Sequence, residues 1–495
     1  MQKAAIGVFL SIGLLKIAGF LKDVLLANYF GIDRNVDIYF YALLFPTILF
    51  NLFSASYNSF FIPTYLAMKK EKGNSHARNY TSLSVYGIAI FLLVVIFLMD
   101  SILLPWIGQI NKSILLSGEL QRFLYYSRLA SIFAFFYLLS NFLSSLLQAE
   151  HKYKQSLYPQ MAIPLTISLF IIYNHENRGI VSAIDGMVYG AVVYFIITFL
   201  IAYKSKLITV FPKKENIKDF FTNHGQFFIL MLVSVSSGFL SFIDQHWASQ
   251  LGDGKLSILN YGIKIPDMFS EVAGMGLGIA TFSHFSQWII AEKKEEIIIA
   301  VQRLIKWSTL LLLPLCFYLI LYSEPLVRIL FERGAFTSKE TLEVSEILKY
   351  YASVVYLFIP GIIAARVISG AAKNHLLLIA GGINIVVKIF LNFIFIGLFG
   401  LKGIPLSTIG MYIIAICLLY YFLIKEKVFR LDADFIKQWG ISFLFVAIVC
   451  CSLFLIRRSF IFHNAFLDLT LGFLVLSASC LITLVFNHKF RFMVL

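Results

Sequence analysis

The sequence predicts an all-α polytopic membrane protein of about fourteen transmembrane helices, with two pseudo-symmetric six-helix lobes around a central cavity and two extra C-terminal helices. Three observations carry this: an apolar composition, apolar runs that recur at membrane-crossing length, and an echo between the two halves of the chain. Of 495 residues, 59% are hydrophobic and 50 are Phe, and the mean hydropathy is +0.83. A soluble domain of this size cannot hide so much apolar surface.

A helix crosses a hydrocarbon core of about 30 Å in about 20 residues. Runs of that order lie at 5–30, 36–66, 82–104, 123–148, 156–174, 181–203, 225–250, 256–290, 306–324, 345–370, 376–399, 403–424, 438–456 and 467–487. The first run carries charge and lacks a small-residue cleavage site, so it reads as a span rather than a removed signal peptide. If the N-terminus is cytoplasmic, the inner loops hold Lys69, Lys70, Lys72 and Arg78, then Lys152 and Lys154, then Lys204, Lys206, Lys213, Lys214 and Lys218. Later inner loops hold Lys293, Lys294, Arg303 and Lys306, then Lys425, Lys427, Arg430 and Lys437. The balance is roughly 23 inside to 11 outside, which the positive-inside rule reads as both termini in the cytoplasm. Arg457-Arg458 is the contrary loop. The net charge of +14 then reflects topology and attraction to anionic lipid, and no nucleic-acid module is present in the sequence.

Gly19-Phe20-Leu21, Gly31 and Pro46 are echoed by Gly238-Phe239-Leu240, Gly252 and Pro266, with Asp23 loosely matched by Asp244. Two parallel six-helix copies follow, giving an N-lobe at 1–222, a C-lobe at 223–430 and an appendage of two spans at 431–495. Two such lobes around a polar midplane are a transporter design. No catalytic residue, cofactor site or metal site is expected. The five cysteines, Cys316, Cys417, Cys450, Cys451 and Cys480, lie in apolar spans without metal-ligand spacing and read as small hydrophobes.

Charges inside spans are the informative exceptions, because a Lys near a span's middle costs roughly 2.5 to 3.5 kcal/mol on insertion scales. Lys16, Lys22 and Asp23 lie in the first run. The two lysines are about 9 Å apart along a helix and about 120° apart around it, while Lys16, Gly19 and Asp23 share a face. Gly19 would permit close approach or a bend. Span 8 holds Lys264, Pro266 and Asp267, with Glu271 one turn on. Its Pro exposes a carbonyl, as in a cavity wall or a packed kink. Span 11 carries a polar stripe of Asn384, Lys388 and Asn392. The segment 292–306 mixes charge with apolar residues and reads as a cytoplasmic surface helix linking the lobes. His246 reads as a hydrogen-bonded histidine near a helix end.

Several motifs resemble one family in order along the chain. Gly19-Phe-Leu-Lys-Asp23, Tyr29-Phe-Gly31, Asp37-Ile-Tyr-Phe40 and Pro46 resemble the opening of the MurJ (MviN) family, the bacterial flippases for the peptidoglycan precursor lipid II, within the MATE-like MOP exporter superfamily. Leu259-Asn-Tyr-Gly-Ile-Lys264 and Leu330-Phe-Glu-Arg-Gly-Ala-Phe-Thr337 extend the resemblance. It implies a multi-pass protein of the bacterial cytoplasmic membrane that moves an undecaprenyl-diphosphate-linked saccharide to the outer leaflet by alternating access. The polyprenyl-linked saccharide, the bilayer and the envelope glycan synthesis machinery are the partners it implies.

By the same resemblance Lys16, Lys22 and Lys264 stand where the family has cavity arginines, with the acids Asp23 and Asp37 retained, and these five are the expected substrate-binding residues. The Lys pair would grip diphosphate while Asp23 tunes or releases it. Lysine supplies the charge without the bidentate fork of arginine. The alternatives are that Lys22 snorkels, that Asp23 pairs with a neighbouring helix and that Asp37 is a helix cap. Asp244, Asp267, Glu271, Asn384 and Lys388 are expected as coupling or structural polar pairs. Some relatives are expected to hold sodium between spans 7 and 11, and Lys388 near Asp244 would fill that role internally. The family's double Arg late in span 2 is here Phe50-Asn51, which favours another cargo such as an O-antigen, capsule or exopolysaccharide unit. A multidrug antiporter would carry acids in its cavity, and a membrane glycosyltransferase would need a large catalytic outer loop.

Overall fold

The computed structural model describes residues 2–106, 119–212, 238–291, 293–371, 373–459 and 465–490. Every regular element among the described residues is helical. The chain divides into two compact units, 1–257 and 258–495. The boundary expected near 222 lies outside the described residues.

In the first unit α1 (Gln2–Phe30) ends at Gly31, whose φ of 56° is a left-handed C-terminal stop that favours glycine. Asp33 then accepts from the Arg34 N–H to start α2 (Arg34–Ala42). The long α3 (Leu44–Leu98) breaks at Gly73, with φ 84° and ψ 172°, in the Lys-rich stretch between the second and third expected spans. A π-helical turn, Met99–Leu103, extends it.

After α4 (Leu120–Ala149) and the short α5 (Tyr153–Leu157), α6 (Ala162–Arg178) and α7 (Val181–Lys204) form a close pair. Gly186 and Gly190 make that closeness. A Cβ on Gly186 would lie 2.6 Å from the Ile167 Cα, and one on Gly190 2.7 Å from the Ile163 Cα. The Thr166 hydroxyl donates to the Gly186 carbonyl at 2.8 Å. Small residues one turn apart with an interhelical hydrogen bond suit a lipid environment, where water supplies no hydrophobic drive between helices. A further helical segment covers 238–249.

The second unit contains most of α8 (Lys255–Ile290), then α9 (Lys294–Leu321), α10 (Ser323–Phe331) and α11 (Ser338–Gly370). The hairpin of α12 (Asn374–Phe399) and α13 (Gly403–Lys425) follows, then α14 (Ala433–Ser459) and α15 (Ala465–Phe490). Val301, Ile305, Ile359, Ile363, Leu423 and Phe435 share one core. The segment 292–306 is therefore not a separate surface helix. Its residues from Lys294 on are the first part of α9, and Ile297, Ile298 and Val301 are buried because three apolar positions at helical spacing outweigh the charged ones.

Two motifs singled out in the sequence meet here. α10 ends at Phe331, Gly334 takes φ 58°, and Thr337 opens α11 with Glu340 in a capping box. The turn folds Phe336 back beside Phe331, and Tyr261 of α8 packs on both, with ring centroids 5.7 and 5.5 Å away. Gly262 lets α8 approach α11, since a Cβ there would lie 2.6 Å from Ile347 Cγ2.

Among the described residues eight stretches are long and apolar enough to cross a membrane, and one of them, Asn374–Lys425, holds both α12 and α13. The contrary Arg457 of the positive-inside reading forms an ion pair with buried Asp468 and lies over the Tyr322 ring, 4.8 Å from its centroid. Its charge is thus partly neutralised within the protein.

Candidate functional site

Lys16, Lys22 and Asp23 lie from the middle of α1 onward. Lys16 and Lys22 are half-buried and Asp23 is buried. The Lys22 Nζ reaches Asp23 Oδ1 at 2.7 Å, so neighbouring residues whose Cα positions point apart join through the long lysine stem. Lys22 thereby meets a negative partner before any anion arrives. The helix runs unbroken through Gly19, and among the described residues no heavy atom outside its own stretch of helix lies within 4 Å of a Cβ built there. Gly19 therefore makes no close approach.

Asp37 is 2% exposed. Its carboxylate accepts the Gly254 N–H at 2.6 Å, the Ser257 N–H at 2.7 Å and the Ser257 hydroxyl at 2.6 Å. It is a cap, but for the first turn of α8 rather than for its own helix, which Asp33 caps. Free N–H groups and the positive end of the helix dipole suit a carboxylate.

Around it stand residues the sequence reading missed. The Arg34 Nε donates to Glu119 at 2.8 Å and lies 3.5 Å from Asp253, and Arg122 donates to Asn35 at 3.0 Å. The charges of Arg34, Glu119 and Asp253 fall outside the apolar runs, where charge is ordinary, so no sequence signal marked them. On the segment 238–249, Asp244 is half-buried, and the His246 Nδ1 lies 3.0 Å from the Tyr41 hydroxyl, the hydrogen-bonded histidine expected.

In the second unit α8 carries half-buried Lys264 and exposed Asp267 and Glu271. Pro266 sits inside the helix and removes the N–H that would bond the Gly262 carbonyl. Gly262 and Pro266 are buried, and Gly262 packs on α11.

The polar stripe of α12 points inward. Lys388 and Asn392 are buried while Val386, Ile389, Phe390 and Phe393 are exposed, the inverse of a water-soluble helix and the pattern a bilayer selects. The Lys388 ammonium donates to the Ile404 carbonyl at 3.2 Å, to the Ser407 hydroxyl at 2.9 Å and to the Thr408 hydroxyl. Ser407 also donates to Asn392. Among the described residues Asn384 Oδ1 is buried without a hydrogen-bond partner.

Among the described residues no group of three or more His, Cys, Asp or Glu is placed to hold a metal ion. Cys316, Cys417, Cys450 and Cys451 are free thiols. The side chains of Phe50, Asn51 and Cys480 lie outside the described residues.

Comparison with known proteins fits this arrangement. The family model described as "Lipid II flippase MurJ" matches residues 26–478. A probable lipid II flippase MurJ of Rickettsia prowazekii (strain Madrid E) is 23% identical over 470 residues, covering 90% of this chain and 88% of the relative. One from Thermotoga maritima is 25% identical, covering 83% and 82%. A solved structure titled "Lipid II flippase MurJ, inward closed conformation" superposes with a TM-score of 0.81 at 22% identity, over 98% of this chain and 100% of the other. An inward-facing MATE family transporter of the MOP superfamily gives 0.60 at 14% identity, over 85% and 97%. These likenesses establish the fold. The family model spans nearly the whole chain, and the protein belongs to the lipid II flippase MurJ family.

Proposed function

We propose that this protein is a transporter, not an enzyme, which moves an undecaprenyl-diphosphate-linked saccharide from the cytoplasmic to the outer leaflet of the bacterial inner membrane by alternating access, with lipid II as the leading cargo. The observation that carries the reading is the match of the lipid II flippase family model to residues 26–478. The chemistry supports it. Half-buried Lys16, Lys22 and Lys264 are cations within long, largely apolar helices, and a diphosphate needs positive charge away from bulk water.

In this reading those lysines bind diphosphate, and the buried Asp23 competes for Lys22 and eases release. The functional lobes are 1–222 and 223–430, with 431–495 as an appendage, and both termini are cytoplasmic. Envelope glycan synthesis enzymes supply the cargo and use it after transfer. Complementation of a bacterium depleted of its own lipid II flippase, scored by lipid II on the outer leaflet, tests the reading. Rescue by the wild type and loss with Lys22→Ala support lipid II as cargo and the lysine as its site. Normal membrane insertion without rescue overturns that cargo.

A second reading keeps the mechanism and changes the cargo to an O-antigen, capsule or exopolysaccharide unit. Phe50-Asn51 in place of the family's double Arg favours it, because two cations fewer on the path suit a less anionic head group. The same strain separates the two, since rescue requires lipid II itself.

A further inference from the structure

We propose that the segment 207–211, which follows α7, is an interfacial anchor for an anionic phospholipid, with Arg78, Lys204 and Lys206 meeting the phosphate and Phe211 entering the acyl boundary. α7 ends in a paired-bond stop, the Lys206 N–H donating to the Tyr203 carbonyl at 2.9 Å and the Leu207 N–H to the Ala202 carbonyl at 3.0 Å. Lys206 takes the left-handed φ of 57° in that turn, where glycine is the ordinary choice, and so sets a cation at the negative end of the helix. The chain then lies along α3. The Arg78 Nε donates to the Ile208 carbonyl at 2.9 Å, the Thr209 N–H donates to the Ser82 hydroxyl at 2.7 Å, and the Tyr86 hydroxyl donates to the Val210 carbonyl at 2.7 Å. Residues 78, 82 and 86 stand on successive turns of one face of α3, so three side chains grip three consecutive residues.

This ladder fixes direction. Ser82 begins the third apolar run and Tyr86 lies one turn inside it, so the segment runs from the Lys-rich stretch toward hydrocarbon. Leu207 and Ile208 are buried, whereas Val210 is 41% and Phe211 88% exposed. A ring so bare, held one residue past the Tyr86 hydroxyl at the start of an apolar run, fits the headgroup boundary rather than water. Cations stand behind it. Arg78 is level with Ile208, and exposed Lys206 is at most about 17 Å back along the chain, a gap that a lysine stem shortens. Among the described residues no acid pairs with Arg78, Lys204 or Lys206. Because Ile208 holds only the Nε of Arg78, the terminal nitrogens are left as a fixed fork of donors, the geometry that suits a phosphate. All these residues lie in the first unit, so the anchor holds for any cargo, and the leaflet it faces follows from the orientation proposed above.

The test is lipid contact at Phe211. The full-length protein carrying Phe211→Trp is placed in phosphatidylcholine vesicles. Its fluorescence, less that of the wild type in the same vesicles, is followed as brominated phosphatidylglycerol or brominated phosphatidylcholine replaces the plain lipid in both leaflets. The added indole is expected to be quenched by both, saturably and at a several-fold lower mole fraction for phosphatidylglycerol. Adding Lys204→Gln and Lys206→Gln, whose side chains are exposed, should move the phosphatidylglycerol curve most of the way to the phosphatidylcholine curve, and Arg78→Gln should complete the shift. Quenching by neither lipid, which would place the indole in water or against protein, overturns the proposal. Equal curves for the two lipids overturn it too, as does a phosphatidylglycerol preference left unchanged by the two lysine substitutions. Those two substitutions decide by themselves where Arg78→Gln does not fold.

Discussion

Asp37 and Ser257, 220 residues apart in the chain, are joined twice, through the serine N–H at 2.7 Å and its hydroxyl at 2.6 Å, both on Asp37 Oδ1. With Gly254 on the other oxygen at 2.6 Å, a single carboxylate closes the first turn of α8. Asp37→Ala leaves these buried donors unmet, and a loss of about 2 kcal/mol follows. Asp37→Asn keeps an acceptor and falls between. Thermal unfolding in detergent reads the order, and an alanine variant as stable as the wild type removes the capping role.

Lys22 and Asp23 separate folding from transport. Lys22→Ala removes the ammonium 2.7 Å from buried Asp23, so the variant loses stability and, if Lys22 grips diphosphate, about tenfold in cargo transfer for one charge-assisted contact. Lys22→Ala/Asp23→Asn should recover the stability and not the transfer. Recovery of both in the double variant would mean that the lysine serves only its neighbour.

Gly262 tests the aromatic turn between α10 and α11. Gly262→Ala places a methyl 2.6 Å from Ile347 Cγ2, and overpacking of that kind costs about 1 to 3 kcal/mol. Combining it with Ile347→Ala, which removes Cγ2, should cost less than the sum of the two single losses. Equal stability of Gly262→Ala and the wild type would show that α8 and α11 have room to spare.

Glu150 gives an acid-sensitive contact. Burial pushes its carboxyl up, but hydrogen bonds from Lys69 and Tyr65 outweigh burial and hold it below its ordinary 4.5. A lowered folded value means the contribution is complete above 4.5 and fades as pH falls through the folded value. Glu150→Gln should therefore be less stable than the wild type at pH 7, with the gap narrowing below pH 4.5. Parallel Tm profiles across that range would contradict the contact.

The helices were legible because lipid demands long apolar runs, whereas Gly31 and Thr337 stood in the sequence only as motif residues and their roles as stop and cap needed the structure. Asp37 was expected as a substrate-binding residue, with a helix cap as the alternative, and its capping of α8 was not legible, since the partner backbone is more than 200 residues away and backbone donors leave no trace in residue type. Lys388 stood out as a charge in an apolar helix, yet its hydroxyl partners, Ser407 and Thr408, are unremarkable in α13 until the hairpin closes. The Leu330–Thr337 motif resembled a family hallmark, and its structural work, packing Phe331 and Phe336 together against Tyr261, required the fold to see. Charge and apolar residues were both visible in 292–306, but that its apolar stripe continues into one buried helix to Leu321 is a property of the packed fold.

The same hairpin constrains how the chain enters its membrane. A lone α12 would carry an uncompensated ammonium into hydrocarbon, at roughly 2.5 to 3.5 kcal/mol. The oxygens named as its acceptors, on Ile404, Ser407 and Thr408, all belong to α13, which is synthesised next. The two helices therefore favour leaving the translocon as a pair, and the brief Gly400–Lys402 turn keeps the wait for α13 short. During biogenesis, solvation of one lysine makes two spans a single unit of insertion.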